Sequence, residues 1–268
     1  MLEALEQLLL PSECTLCHAL LSFRNHRRLV CDLCRHRWRA VCPPWCERCG
    51  QPEPLFGPCR LCAPWPDAFS TARSAVWLES GARAAIHALK YRGLPRVADE
   101  LAEAVARIAI PGRERAWLVP VPLGPRRQRE RGYNQSERLA RALARRWQRP
   151  VADLLVRVRD TATQTALTPE ARLANVAGAF EMRNGRSAEC GMRSAESIGP
   201  RSNIRAGVRG RTLSGNSAFR IPHSTLILVD DVFTTGATLA EAARTLAQAG
   251  ARTILAVTFG RAVLPDFS

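Results

Sequence analysis

The segment from Leu226 to Thr238, LILVDDVFTTGAT, constrains the fold of this chain more than any other. Its four leading apolar residues are typical of a strand that is buried on both faces of a parallel sheet. Asp230 and Asp231 follow at the carboxyl end of that strand, which is the edge where open α/β sheets bind ligands. The segment therefore predicts an α/β fold with a ligand site beside these two acids.

The turn after the two acids has the composition of a phosphate-binding loop. Thr234, Thr235 and Thr238 carry hydroxyl groups, Gly236 permits close backbone approach, and Ala237 completes a turn of small residues. N–H groups at the start of the next helix would point at an anion with a favourable dipole. Carboxylates accept hydrogen bonds from ribose hydroxyls and suit Mg²⁺, so the segment predicts a sugar-phosphate site with Mg²⁺. An ordinary strand-to-helix turn with solvated aspartates is the alternative.

Four C-x-x-C pairs occupy the amino-terminal quarter of the chain. Two such pairs supply the four thiolates of a tetrahedral structural zinc site, so eight cysteines predict two zinc ions. Pairing in sequence order is the simple arrangement, and interleaved pairing is the alternative. About fifty residues rich in Pro and Arg bury little core, so metal binding would supply their folding free energy. The pairs are Cys14/Cys17, Cys31/Cys34, Cys46/Cys49 and Cys59/Cys62, which leaves Cys42 and Cys190 over.

The chain carries a large excess of positive charge. Its 39 basic and 24 acidic residues give a formal net charge of +15. Such a charge concentrates anions around the molecule and fits nucleic-acid and polyphosphate partners equally well. Arginines and tryptophans in the cysteine-rich region predict either a surface for single-stranded nucleic acid or a solvated basic face. These residues are Arg24, Arg27, Arg28, Arg35, Arg37, Arg39, Trp38 and Trp45.

Basic clusters also follow two other predicted elements. Lys90, the only lysine of the chain, lies in KYRG at a predicted helix end, where it either contacts phosphate or favourably occupies that end. Farther along, a predicted strand runs into an arginine-rich loop. This loop either grips pyrophosphate, because guanidinium groups match phosphate oxygens, or is a solvated charge run. Its arginines are Arg126, Arg127, Arg129 and Arg131. Another polar set either closes over a ligand or caps its own segment: Thr163, Gln164, Arg172 and Asn175.

Hydrophobic patterning predicts the remaining elements and the division of the chain. We expect strands over residues 72–78, 116–121, 151–158 and 257–259, and helices over residues 2–9, 81–91, 97–108, 170–176 and 239–249. A proline-rich linker, Ala63 to Pro66, would separate an amino-terminal domain, residues 1–65, from a second domain, residues 66–268. Residues 183–217 are rich in Arg, Ser and Gly and predict a disordered insertion.

Neither targeting nor membrane signals are apparent in the sequence. The amino terminus lacks the basic region of a secretory signal, and no apolar run reaches about 18 residues. We therefore expect a cytoplasmic protein without membrane insertion. In that reducing compartment, ten cysteines predict metal ligands rather than disulfides.

Several motifs together carry a family resemblance. LILVDDVFTTGAT resembles the phosphoribosyl pyrophosphate (PRPP) motif of type I phosphoribosyltransferases. With it occur the four C-x-x-C pairs, LKYRG at residues 89–93, VPVPL and RxxxRGYNQ within residues 119–135, and RDTATQTAL and RxxN within residues 159–175. This combination resembles the ComF family, of the ComFC and GntX type, over nearly the full chain. Residues 183–217 depart from the family pattern, which has a short connection there.

The resemblance implies a fold, a site and a function. The fold would be an α/β parallel sheet with helices on both faces, preceded by a double zinc ribbon. Asp230 and Asp231 would hold ribose hydroxyls and Mg²⁺, Thr234 to Thr238 the 5′-phosphate, and Arg127 and Arg131 pyrophosphate. The implied function is PRPP binding with transfer of phosphoribose to an acceptor, linked to DNA uptake in natural competence. A non-catalytic factor that binds single-stranded DNA, with a regulatory PRPP site, is the second hypothesis, and the competence machinery would be its partner.

Overall fold

The structure is a computed structural model, and it describes residues 12–22, 28–52, 59–160, 175–183 and 225–262. Several predictions fall outside these ranges: the helix over residues 2–9, the positions Thr163, Gln164, Arg172 and Cys190, and the predicted insertion beyond Arg183.

A four-stranded parallel sheet forms the centre of the described fold. Its order is β1-β6-β5-β2, and the short β3 and β4 pair antiparallel in a separate ribbon. Pro120 at the end of β2 lies opposite Val229 of β5, so Asp230 and Asp231 extend beyond their neighbour at the carboxyl edge. The strands are β1 (Phe69–Trp77), β2 (Trp117–Pro120), β3 (Leu155–Arg157), β4 (Phe180–Met182), β5 (Leu226–Phe233) and β6 (Ile254–Arg261).

Helices cover both faces of the sheet, as predicted. The described helices are α1 (Asp32–His36), α2 (Ser80–Tyr91), α3 (Val97–Ala106), α4 (Pro125–Arg131), α5 (Gln135–Trp147) and α6 (Ala237–Gln248), with a 3-10 turn at Arg113–Arg115. Side chains of α2, α3 and α5 pack with Ile227 and Val229 on one face, and those of α6 pack with Leu226 and Leu228 on the other. The longest described helix has 13 residues, so none in these ranges can span a bilayer.

Two segments differ from the sequence prediction. The strand expected over residues 151–158 is broken: Val151 forms only a parallel bridge to Leu118, and the chain then leaves the sheet to pair as β3 with β4. The arginine-rich segment predicted as a loop is instead the helix α4. Pro125 at its first turn and Gly132, which ends it with φ of 77°, provide the start and stop signals of a short helix.

The cysteine-rich segment packs directly onto the sheet. Ala40 forms an antiparallel bridge with Val76 of β1, and the Ala72 N–H donates to the Arg48 carbonyl at 2.8 Å. The Trp38 ring meets the Phe259 ring edge-on, with 4.9 Å between centroids. The segment therefore covers the outer edge of β1 and shares the hydrophobic core of the α/β unit.

Candidate functional site

Two four-cysteine groups in the described residues are arranged as metal sites. In each group the four sulfurs lie within 4.8 Å of one another. Individual Sγ–Sγ distances are 3.7 Å for Cys17 and Cys31 and 3.5 Å for Cys49 and Cys59. A tetrahedral zinc with Zn–S bonds of about 2.3 Å would separate its sulfurs by roughly 3.8 Å. The pairing follows sequence order and fits a double zinc ribbon, with Cys14, Cys17, Cys31 and Cys34 in the first cluster and Cys46, Cys49, Cys59 and Cys62 in the second.

The surroundings of these thiols fit a bound dication. Burial raises the pKa of the Cys62 thiol to about 12 and also raises the pKa of Cys49. A dication reverses this preference because it binds the thiolate form. Backbone N–H groups already support that form in the first cluster, where the Cys31 N–H donates to the Cys14 sulfur at 3.3 Å. Cys42 belongs to neither group.

The two acids of β5 form a buried pair with defined partners. Asp230 Oδ1 accepts hydrogen bonds from Ser136 Oγ at 2.7 Å and from the Asp231 N–H at 2.9 Å. Asp231 accepts from the Gln135 amide at 3.4 Å through Oδ1. Its Oδ2 forms an ion pair with the Lys90 ammonium. Each carboxylate is thus oriented by a side chain of α5, and one is neutralised from α2.

Burial and the ion pair shift the pKa values of the two acids in opposite directions. Burial, together with the neighbouring charge of Asp231, raises the pKa of Asp230 to about 7. Burial also acts to raise the pKa of Asp231, but the Lys90 ammonium and its hydrogen bond hold that pKa below its ordinary value. At neutral pH Asp230 is therefore partly protonated, and Lys90 balances the negative charge of Asp231.

The loop from Thr234 to Thr238 begins two strand residues after the acids, and α6 begins within it. Gly236 adopts φ of 78°, and a Cβ there would lie 2.8 Å from Phe233 and 3.0 Å from Trp65. Only glycine fits this position. Gly236 provides no side-chain cap for α6. The first turn of a helix is where backbone N–H groups bind anions. Thr235 is buried, and its hydroxyl has no hydrogen-bond partner in the described part of the chain.

The predicted arginines of α4 have different partners. Arg131 donates to the Gln135 side-chain oxygen, which connects it to Asp231, and its guanidinium lies 5.3 Å from the Tyr91 ring centroid. Arg127 lies close enough to Arg157 to lower that residue's pKa, although burial is the larger cause. Arg126 pairs instead with Glu130 at 2.7 Å.

Some residues of the site were not predicted as functional. Gln135 and Ser136 begin α5 directly after the RGYN sequence, and Asn134 caps that helix by accepting from the Ser136 N–H at 3.0 Å. Asn is a preferred residue at helix starts, so the sequence could have predicted that Gln135 and Ser136 begin a helix. Asp160 accepts from the Arg126 N–H at 3.3 Å, and a Cβ on Gly124 would meet its carboxylate at 2.0 Å. No local sequence pattern predicts the contact of Asp160 with the start of α4, because the two segments are 34 residues apart.

Arg24 and Arg27, proposed for nucleic acid, lie outside the described residues. Most of the other ribbon residues proposed for that role serve contacts within the described part of the chain. Arg35 pairs with Glu103 at 2.9 Å, and Arg39 pairs with Glu79. Trp38 is buried against the sheet. These contacts favour a structural role for that face. Asn175, predicted to close over a ligand, offers its carbonyl to Arg159 at 3.2 Å.

Comparison with known proteins gives a consistent group of relatives, although no family model matches the chain. DNA utilization protein YhgH of Escherichia coli O6:H1 is 28% identical over 262 residues, which cover 92% of this chain and 96% of the relative. Competence protein ComFC of Bacillus subtilis is 25% identical, covering 82% and 79%. Competence protein F of Haemophilus influenzae is 30% identical, covering 51% and 46%. With the two four-cysteine groups, these homologues confirm the resemblance to the ComF family.

Proposed function

We propose that this chain, a homologue of ComF-type competence proteins, binds PRPP with Mg²⁺ at Asp230, Asp231 and the loop Thr234–Thr238 and transfers phosphoribose to an acceptor. The observation that carries the proposal is the buried acid pair, oriented by Ser136 and Gln135, beside a glycine loop that opens a helix. The names of its relatives support a role in DNA uptake. A cytoplasmic location and a domain division after residue 65 belong to the same proposal.

Each part of the site has a task in this reaction. The acids accept hydrogen bonds from the ribose hydroxyls, and the loop amides bind the 5′-phosphate. Asp230 and Asp231 would hold Mg²⁺, which would supply positive charge that stabilises the phosphate groups. Arg131 and Arg127 stabilise the charge of the departing pyrophosphate, and Lys90 can turn from Asp231 toward the same phosphate oxygens.

The chemical step is a substitution at the anomeric carbon of the ribose. The acceptor forms a bond to that carbon and releases a proton, while the bond to the pyrophosphate oxygen breaks and pyrophosphate leaves with the electron pair. The protein mainly positions the two reactants and stabilises the leaving group.

Calorimetric titration with PRPP in the presence of Mg²⁺ tests the proposal. The variant Asp230→Asn/Asp231→Asn should bind PRPP more weakly by on the order of a hundredfold, because metal and diol both lose their carboxylates. Asp99→Asn is the matched control, since Asp99 forms only a surface ion pair with Arg145. Wild-type affinity in the double variant would contradict the proposal. Release of pyrophosphate in the presence of candidate acceptors then tests turnover.

A second candidate function is binding of single-stranded DNA with PRPP as a regulator. Tyr91 supports it: the side chain is 68% exposed, and its ring lies 5.0 Å from the His87 ring and 5.3 Å from the Arg131 guanidinium. An exposed ring held in place between an imidazole ring and a guanidinium group suits the stacking of an unpaired base. The relatives named for competence and DNA utilization are consistent with such a partner.

Fluorescence anisotropy with an oligonucleotide of about twenty nucleotides separates the two candidates. Tyr91→Ala should weaken binding about tenfold, and binding should fall steeply with salt. Leu33→Ala is the control, because Leu33 is also exposed but lies on α1 of the first ribbon. Unchanged affinity in Tyr91→Ala would rule out this stacking site.

A further inference from the structure

We infer that the second cysteine cluster holds the loop Thr234–Thr238 in place through Trp65 and Arg261, and that the first cluster does not. The coupling itself is a property of the fold. Its consequence for PRPP rests on the proposed function.

Trp65 connects the second cluster to the underside of the loop. The backbone N–H of Trp65 donates to the Cys62 carbonyl at 3.2 Å. The indole ring stacks on Phe69 with centroids 4.1 Å apart. The far edge of the indole lies 3.0 Å from the position of a Cβ on Gly236. The buried ring therefore packs against the loop and supports its conformation.

Arg261 forms a second connection at the end of β6. Its buried guanidinium donates to the Cys49 carbonyl and to the Gln51 side-chain oxygen, both at 2.8 Å. The same group lies 4.3 Å from the centroid of the Phe233 ring. Phe233 immediately precedes the loop, and its ring tip would contact a Cβ on Gly236 at 2.8 Å.

Arg48 fixes the linker on which Trp65 lies. The side chain donates to the carbonyls of Cys62 at 3.2 Å, Pro66 at 3.0 Å and Phe69 at 3.2 Å. Because Arg48 lies between two ligands of the second cluster, Cys46 and Cys49, its position depends on that cluster remaining folded.

The first cluster is anchored elsewhere. The Leu29 N–H donates to the Glu100 carboxylate at 3.2 Å, and Arg35 pairs with Glu100 at 3.2 Å and with Glu103 at 2.9 Å. These contacts lead to α3, on the face of the sheet that α6 does not occupy.

Loss of metal from the second cluster should therefore release the loop. The cysteine segment would lose its fold, and a buried guanidinium would lose its carbonyl acceptors. Coupling of this kind is reciprocal, so a ligand that orders the loop should also slow metal release from the second cluster.

Hydrogen exchange of the zinc-loaded full chain, measured without PRPP, tests the inference. Cys59→Ser should raise the exchange rate of amides 234–240 by about tenfold or more, whereas Cys17→Ser in the first cluster should change it by less than about twofold. Trp65→Leu should raise loop exchange while both zinc ions are retained, which separates loop release from general unfolding.

Equal loop exchange in the two cysteine variants, or unchanged exchange in Trp65→Leu, would overturn the coupling. A wild-type chain that fails to bind PRPP would refute the proposed function. The exchange measurement would still decide whether the second cluster holds the loop, because it is made without PRPP. Where PRPP does bind, its affinity should fall in Cys59→Ser and not in Cys17→Ser.

Discussion

Lys90 reaches from the last turn of α2 to the buried carboxylate of Asp231 on β5 and forms an ion pair with it. The pair joins a helix and a strand that are far apart in the chain. A lysine, with a compact charge on a flexible stem, suits a contact that the proposed phosphate ligand would displace.

Replacing Lys90 with Met should destabilise the fold by about 3 kcal/mol at neutral pH, because a buried carboxylate loses its counter-charge. The depressed pKa of Asp231 contributes stability above the pKa of the unfolded chain, and this contribution is lost as pH falls. The difference between variant and wild type should therefore shrink as pH falls below about 4. Urea denaturation at several pH values measures it. Arg145→Met, which removes an exposed ion pair, should show little change.

Asp230→Asn should remove a contribution that destabilises the fold as pH rises, whereas Asp231 contributes stability at high pH. The raised pKa of about 7 means that folded Asp230 keeps a proton that the unfolded chain has released, so this group destabilises the fold as pH rises from about 4 to 7. Relative to wild type, the Asn variant should therefore gain stability between about pH 5 and 8. Denaturant midpoints at both pH values give the answer, and a relative loss at the higher pH would contradict the assignment.

Gly236→Ala should disrupt the loop more than a positive φ alone explains. Gly132 provides the control, since it has φ of 77° and nothing within 4 Å of an added Cβ. The Gly132 variant should lose about 1–2 kcal/mol from backbone strain. The Gly236 variant should lose a further 1 kcal/mol or more, roughly, from contact with Phe233 and Trp65. Equal losses of unfolding free energy in the two variants would show that Phe233 and Trp65 move aside for the added methyl group at no cost.

Glu100→Gln should loosen the first cluster. Glu100 accepts from the Leu29 N–H and pairs with Arg35 and Arg28, so loss of its charge weakens the attachment of that ribbon to α3 by about 2 kcal/mol. Zinc release to a colorimetric chelator should become several-fold faster for one ion and unchanged for the other. Glu79→Gln, at a more exposed pair with Arg39, should release both ions at the wild-type rate.

The acid segment was predictable because its information is local. Four apolar residues, two acids and a glycine turn lie in sequence order, and β5 and α6 follow that order with small shifts of their ends. The cysteine spacing likewise predicted both clusters. Sequence order alone left the pairing open, and the three-dimensional positions of the sulfurs resolved it.

The partners of the acids were harder to predict because they are distant in sequence. Ser136 lies 94 residues from Asp230, and Gln135 lies 96 residues from Asp231. The helix α4 was missed for another reason: its seven residues carry four arginines and no buried side chain, so no hydrophobic period marks it. The position of Trp65 under the loop depends on packing between segments far apart in sequence.

The ribbon backbone that pairs with β1 at Ala40 and Arg48 also closes an otherwise open sheet edge. Such an edge, left bare, is a template for pairing with another chain. We therefore expect a chain synthesised under metal starvation to be prone to aggregation, because metal bound by the two four-cysteine groups would shape the ribbons that keep this strand from pairing with another copy.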